Sequence, residues 1–140
     1  MPRRKTEKTL IKEECERLMY QLAFLLYGKK CEVCGNNWRL VVHHFIPREK
    51  CKNLTYEPLN LVVLCANCHF DLHIRQNSLV AGKIVEKRGR EWLDKLTMLY
   101  EERRKIKGYY GLSWLKSQKE FLLEQIKKAS PKMAGSENPP

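Results

Sequence analysis

Four of the six cysteines in this 140-residue chain fall in two identical frames, Cys31-Glu-Val-Cys34 and Cys65-Ala-Asn-Cys68. A two-residue gap lets both sulfurs of a turn reach one ion, so the two pairs together offer the four thiolates of a closed tetrahedral zinc site, with Zn–S near ~2.3 Å. A redox dithiol would account for one pair and leave the other unexplained. Gly35 follows the first pair, where a metal-binding knuckle commonly needs a residue tolerant of positive φ. A shell of four sulfurs leaves no position for a substrate, so the work expected of this site is folding. Cys15 reads as a core residue of an amphipathic helix, and Cys51 lies in a polar loop with no evident partner.

All four histidines cluster around these pairs, at His43, His44, His69 and His73. On a helix beginning near Cys65, His69 and His73 are four residues apart and share one face, an arrangement suited to two imidazoles on one ion. Cys68 sits ~100° around that helix from His69. One short helix can thus present thiolates to one metal and imidazoles to another. In a strand running from Leu40 to Ile46, His43 and His44 must point to opposite faces, so one can be a metal ligand while the other cannot easily join it. A two-Cys, two-His finger built from Cys31, Cys34, His69 and His73 fails on spacing, because 34 residues separate Cys34 from His69 where such a finger has about 12.

The string Cys31-x-x-Cys34, then Val42-His43-His44-Phe-Ile-Pro47, then Leu59-Asn60-Leu61-Val-Val-Leu-Cys65-x-x-Cys68-His69-x-x-x-His73 resembles the HNH endonucleases of the ββα-metal nuclease superfamily. The nine-residue step from Asn60 to His69 and the four-residue step to His73 are similar to those of the colicin-type nucleases. The chain's size and its flanking helices resemble the small HNH proteins of tailed bacteriophages. The resemblance implies that His43, His69 and His73 hold one divalent ion (Mg²⁺, Mn²⁺, Ni²⁺ or Zn²⁺) and that His44 is the general base. It also implies that Asn60, which on local sequence alone is a turn residue before a strand, steadies the loop between the strands and so orients the base. An imidazole with a reference pKa near ~6.5 can take a proton from water near neutral pH. An ion with three protein ligands keeps positions open for a phosphate. Arg39, Arg48 and Arg75 are candidate phosphate contacts, with nothing in the sequence to choose among them.

The elements that must position these groups are legible in outline. From about Thr6 to Tyr27 apolar residues recur every three or four positions, which marks an amphipathic helix. Short β-rich runs, Arg39–Ile46 and Leu61–Leu64, are separated by a polar loop containing Pro47, Asn53 and Pro58. Gln76 to Ala81 reads as a connector. Trp92, Leu93, Leu96, Leu99 and Tyr100 define a second, charged helix, and Leu115, Phe121, Leu122 and Ile126 a third. The expected fold is α+β: a small ββα-metal (His-Me finger) core with a four-cysteine zinc site, flanked by N- and C-terminal helices. It is expected as one nuclease domain over residues 1–129, with the core at 31–75, helices at about 6–27, 86–106 and 112–128, and a disordered tail at 130–140.

Composition narrows the partners. Twenty-seven Lys plus Arg against sixteen Asp plus Glu leave a formal charge of +11, which suits a polyanion and, through the resemblance, DNA. The longest uncharged run, Leu18 to Gly28, is far below the ~20 residues of a membrane span, and no secretory signal opens the chain. A cytoplasmic setting, the bacterial host cell if the protein is phage-encoded, is therefore expected. The function implied is a metal-dependent DNA endonuclease or nickase, monomeric or dimeric, in phage DNA processing or packaging beside terminase subunits. The competing reading is a nonenzymatic zinc-containing nucleic-acid-binding module. An RNA-cleaving enzyme would keep the same site.

Overall fold

The computed structural model describes residues 3–130, which group into two compact units, Tyr27–Lys107 and a pairing of the chain's N-terminal segment with the residues from Gly108 onward. The sequence reading has a single domain here. The tail expected to be disordered lies, from residue 131, outside the described residues.

The first unit is built on a two-stranded antiparallel sheet. Strand β1 (Leu40–His44) pairs with β2 (Leu61–Cys65) in a register that sets Leu40 opposite Cys65, His43 opposite Val62 and His44 opposite Leu61. Every residue of β2 is buried, as its unbroken apolar run requires, whereas in β1 only the neighbours Val42 and His43, which point to opposite faces, are buried. The sixteen residues between the strands fold into two 3-10 turns, Lys52–Leu54 and Pro58–Asn60, packed over the core at Leu54 and Asn60.

Helix α1 spans Glu7–Tyr27, and α2 (Ala66–His73) follows β2 without a loop: Cys65 is its N-cap, its sulfur accepting the Cys68 N–H. Helices α3 (Ser78–Arg88) and α4 (Arg90–Arg103) complete the first unit. They correct two expectations. The stretch read as a connector begins a helix at Ser78, because the Asn77 side chain caps the Leu79 N–H at 3.1 Å and Val80 and Ile84, one turn apart, are both buried. The helix expected over 86–106 is broken at Gly89, whose φ of +93° few residues other than glycine adopt, so α4 starts at Arg90. The core gathers Cys31, Cys51, Leu54, Val62, Leu64, Cys65, Val80, Ile84, Trp92 and Leu96. Cys51, read from the sequence as a loop residue, is part of it.

In the second unit, α5 (Leu112–Ala129) accompanies α1. The Cys15 thiol donates to the Leu115 carbonyl at 3.5 Å, and ion pairs join Lys116 to Glu7 and Lys119 to Glu14, each at 3.1 Å. Burial pushes the Cys15 thiol up to about 11, so it behaves as a core group rather than a nucleophile. No helix among the described residues is long and apolar enough to cross a membrane.

Candidate metal centres and active site

Cys31, Cys34, Cys65 and Cys68 place their sulfurs within 4.8 Å of one another, close enough to hold a metal ion. A tetrahedron with arms near ~2.3 Å has edges near ~3.8 Å, and the Cys34 and Cys65 sulfurs are 3.6 Å apart. Gly35 takes φ +79° at the turn after the first pair, closed by its own N–H on the Cys31 carbonyl at 2.9 Å. Burial alone would raise the Cys31 thiol, but backbone N–H groups of Cys34, Cys65 and Val33 outweigh it and bring Cys31 down to about 7. Cys68 is driven far the other way, by burial first and then by its sulfur neighbours. Four thiols packed this tightly cannot all ionise unless a cation shares the charge, so the donor set fits zinc.

The knuckle is fastened from within. Glu32, the residue after Cys31, is buried and accepts the Val63 N–H at 2.7 Å. Arg88 of α3 grips both its oxygens, through Nε at 2.5 Å and Nη2 at 2.8 Å, and also donates to the Leu61 carbonyl at 2.7 Å. The guanidinium stacks on the Tyr27 ring, 3.7 Å from its centroid. Sequence reasoning missed this pair, since a glutamate inside a Cys-x-x-Cys frame looks like a surface charge and its partner lies 56 residues away.

The second cluster is His43, His69 and His73, whose ring nitrogens also lie within 4.8 Å of one another. Nε2 of His73 is 3.0 Å from Nδ1 of His43. On arms of about 2.1 Å, ligands at right angles lie about 3.0 Å apart and tetrahedral ones about 3.4 Å, so the separation falls in the range of a shared coordination shell. Strand β1 delivers His43 and helix α2 delivers the other two, one turn apart. Burial, followed by the charges His73, His69 and His44 would carry, pushes His43 down to about 3. Burial and then His73 lower His69. The cluster opposes protonation and keeps lone pairs available, which suits a divalent cation.

His44, the next residue of β1, does not join that trio. Its Nε2 is 2.7 Å from the Thr55 carbonyl. A carbonyl can only accept, so Nε2 carries the proton and Nδ1 the lone pair. Both neighbouring histidines nevertheless border one open cleft, lined also by Val42, Pro47, Arg48, Glu49, His69 and His73. Of the three arginines, Arg48 lines it; Arg39 lies over the Trp38 ring at 4.5 Å and Arg75 pairs with Asp71 at 3.4 Å.

Asn60 does not line the cleft. It is fully buried, and its amide ties the loop together: Oδ1 accepts the Ile46 N–H at 2.7 Å, and Nδ2 donates to the carbonyls of Ile46 at 3.0 Å and Leu54 at 3.1 Å. Leu54 precedes Thr55, so Asn60 bears on His44 through the backbone. The carbonyl of Thr55 is the group no sequence signal could have revealed, because every residue carries one.

With this geometry in place, comparison with known proteins gives a consistent class. A family model described as HNH endonuclease matches residues 31–75, the span from Cys31 to just past α2. This segment is an HNH domain, and the match supports a nuclease-type action on nucleic acid. No curated protein and no solved structure matches the chain.

Proposed function

We propose that the protein is a metal-dependent endonuclease or nickase that hydrolyses DNA phosphodiester bonds, with His44 as general base. In this reading His43, His69 and His73 hold one catalytic divalent ion, and Cys31, Cys34, Cys65 and Cys68 hold a structural zinc. The observation that carries it is the relation of His44 to its surroundings. Its Nε2–H is committed to Thr55, so its basic nitrogen is Nδ1, and it shares a cleft with three clustered imidazoles. A nonenzymatic zinc module would have no use for that combination.

Nδ1 of His44 takes a proton from a water molecule as its oxygen attacks phosphorus. The P–O3′ bond breaks, leaving a 5′-phosphate and a 3′-hydroxyl whose oxygen is protonated from solvent. His43, His69 and His73 would hold a divalent ion, which when bound would supply Lewis-acid stabilisation of the developing negative charge. Arg48, on the rim of the cleft, holds a nonbridging oxygen. Asn60 keeps the loop, and through Leu54 and Thr55 the imidazole, in position. The chain's +11 charge draws the phosphate backbone in without reading bases.

The test is a supercoiled-plasmid assay with Mg²⁺, Mn²⁺, Ni²⁺, Zn²⁺ or EDTA, run on the wild type and on His44→Ala, with a structured RNA in parallel. Metal-dependent nicking or linearisation that His44→Ala loses supports the reading. Undiminished cleavage by His44→Ala sinks the base assignment; no cleavage with any ion favours the binding module; RNA cut in preference to plasmid moves the substrate.

A further inference from the structure

The turn that presents the Thr55 carbonyl to His44 is held by the end of a helix lying outside the HNH segment. Asn53, in the 3-10 turn two residues before Thr55, directs its Nδ2 at the carbonyl of Arg103, the last residue of α4, and at that of Ile106 in the turn just beyond it, each at 3.0 Å. Arg103 returns the contact. Its Nη1 reaches the Asn53 carbonyl at 3.5 Å and its Nη2 the Glu57 carboxylate at 2.7 Å, so one guanidinium spans both sides of Thr55. Within the turn, Thr55 Oγ1 donates to the Lys52 carbonyl at 2.7 Å, and the Leu54 carbonyl accepts from Asn60. Trp92, also of α4, donates to the Leu59 carbonyl at 2.8 Å. The His44 acceptor is thus fixed on one side by Asn60, inside the family segment, and on the other by α4.

We infer that Asn53 and Arg103 are positioning residues for the general base: they clamp α4 to the Lys52–Leu54 turn so that the Thr55 carbonyl holds His44 in its Nε2–H tautomer and aims Nδ1 into the cleft. The inference rests on the reading of His44 as base. The chemistry of the two side chains fits the task. An amide NH₂ offers two donors to two carbonyls at that spot, and it joins the Ile106 N–H, 3.1 Å from the Arg103 carbonyl, in closing the turn after α4. A guanidinium fork suits a carboxylate and a carbonyl together, where a lysine would reach one. A displacement of the base by about an ångström is enough to cost on the order of 10²-fold in rate, so a clamp remote from the substrate is worth having.

The test uses the full-length, zinc-loaded protein. Asn53→Ala, Arg103→Ala and Arg103→Lys are compared with Arg104→Ala, whose exposed side chain pairs only locally with Glu101 at 3.1 Å. Two readouts are taken on each: steady-state nicking, split into kcat and KM, and histidine ¹⁵N spectra in which His44 is assigned by its loss in His44→Ala. Zinc content and melting temperature are measured alongside. The expected result is a kcat lowered about 10- to 100-fold in Asn53→Ala and Arg103→Ala with KM within about 2-fold. Arg103→Lys recovers part of it and Arg104→Ala matches the wild type. The ¹⁵N shifts of His44 report loss of the pure Nε2–H tautomer in the two alanine variants.

Wild-type kcat and an unchanged His44 tautomer in both alanine variants would overturn the inference. A raised KM with unchanged kcat in Arg103→Ala would also overturn its part, making it a phosphate contact. If the wild type itself does not cleave, the nuclease reading falls, and the tautomer spectra still decide whether the clamp holds His44. Should Asn53→Ala lose its zinc or melt early, Arg103→Ala, at a partly exposed position, carries the decision.

Discussion

His44 and His43 are adjacent in the chain and nearly opposite in circumstance. His43 is buried against two other imidazoles and pushed down to about 3, whereas His44 sits at the strand end with one nitrogen on a carbonyl. Replacing His44 with alanine removes the proposed general base together with its hydrogen bond to the Thr55 carbonyl. Nicking is expected to fall about 10²- to 10⁴-fold with zinc content and melting temperature retained, checked by plasmid assay and thermal unfolding. Asn60 is the reverse case. Its amide satisfies three backbone groups in a fully buried place, and each such group left unpaired costs about 1–3 kcal/mol. Asn60→Ala is expected to lower unfolding free energy by about 2 kcal/mol or more in denaturant titration, and activity with it. Equal stability of the two variants would mean that the loop is not held as the hydrogen bonds indicate.

At the scale of elements, the Cys31–Cys34 turn, β2 and α3 meet at Glu32 and Arg88, a bidentate ion pair almost wholly out of solvent. Breaking a buried pair by removing one partner costs about 3–5 kcal/mol, because the surviving charge is stranded. Arg88→Met is expected to destabilise the protein by that order and to weaken zinc retention, measured by denaturant unfolding and by metal release to a chromogenic chelator. A change below about 1 kcal/mol would show that the pair is replaceable packing. The same elements show where the sequence was readable. The strands, the short helix after Cys65, the four-cysteine cluster and the pairing of His69 with His73 follow from apolar runs and ligand spacing, which are local properties, whereas the choice of His43 as their companion came from the family resemblance. The break at Gly89 and the start of α3 at Ser78 were not legible, because a glycine inside an apolar-periodic stretch reads equally as tolerated or as a stop, and burial of Val80 and Ile84 decides the matter.

For the whole molecule, two ligand clusters of different chemistry predict two responses to metal removal. A mild chelator is expected to abolish nicking, restored by Mg²⁺ or Mn²⁺, with little change in melting temperature. Stripping the four-cysteine site is expected to unfold the Tyr27–Lys107 unit, followed by circular dichroism and zinc content. Loss of both properties at one chelator concentration would count against separate roles. With a formal +11, binding of an uncleavable oligonucleotide is expected to weaken steeply with salt, log K falling linearly with log salt.

By itself the sequence determined which side chains could hold a metal and in what order they come, because ligand type and spacing are written in the chain and a two-residue or four-residue gap has few geometries. It thereby grouped four cysteines as one candidate metal-ligand set, separated His43 from His44 by strand parity, and marked the HNH pattern. Only the tertiary structure decided how those groups are held. The carbonyl of Thr55, the buried grip of Arg88 on Glu32 and the closure of α4 on Asn53 join residues 11, 56 and 50 positions apart. Backbone carbonyls carry no residue identity and a charged side chain looks alike on a surface and in a buried pair, so contacts of this kind exist only once the chain has folded.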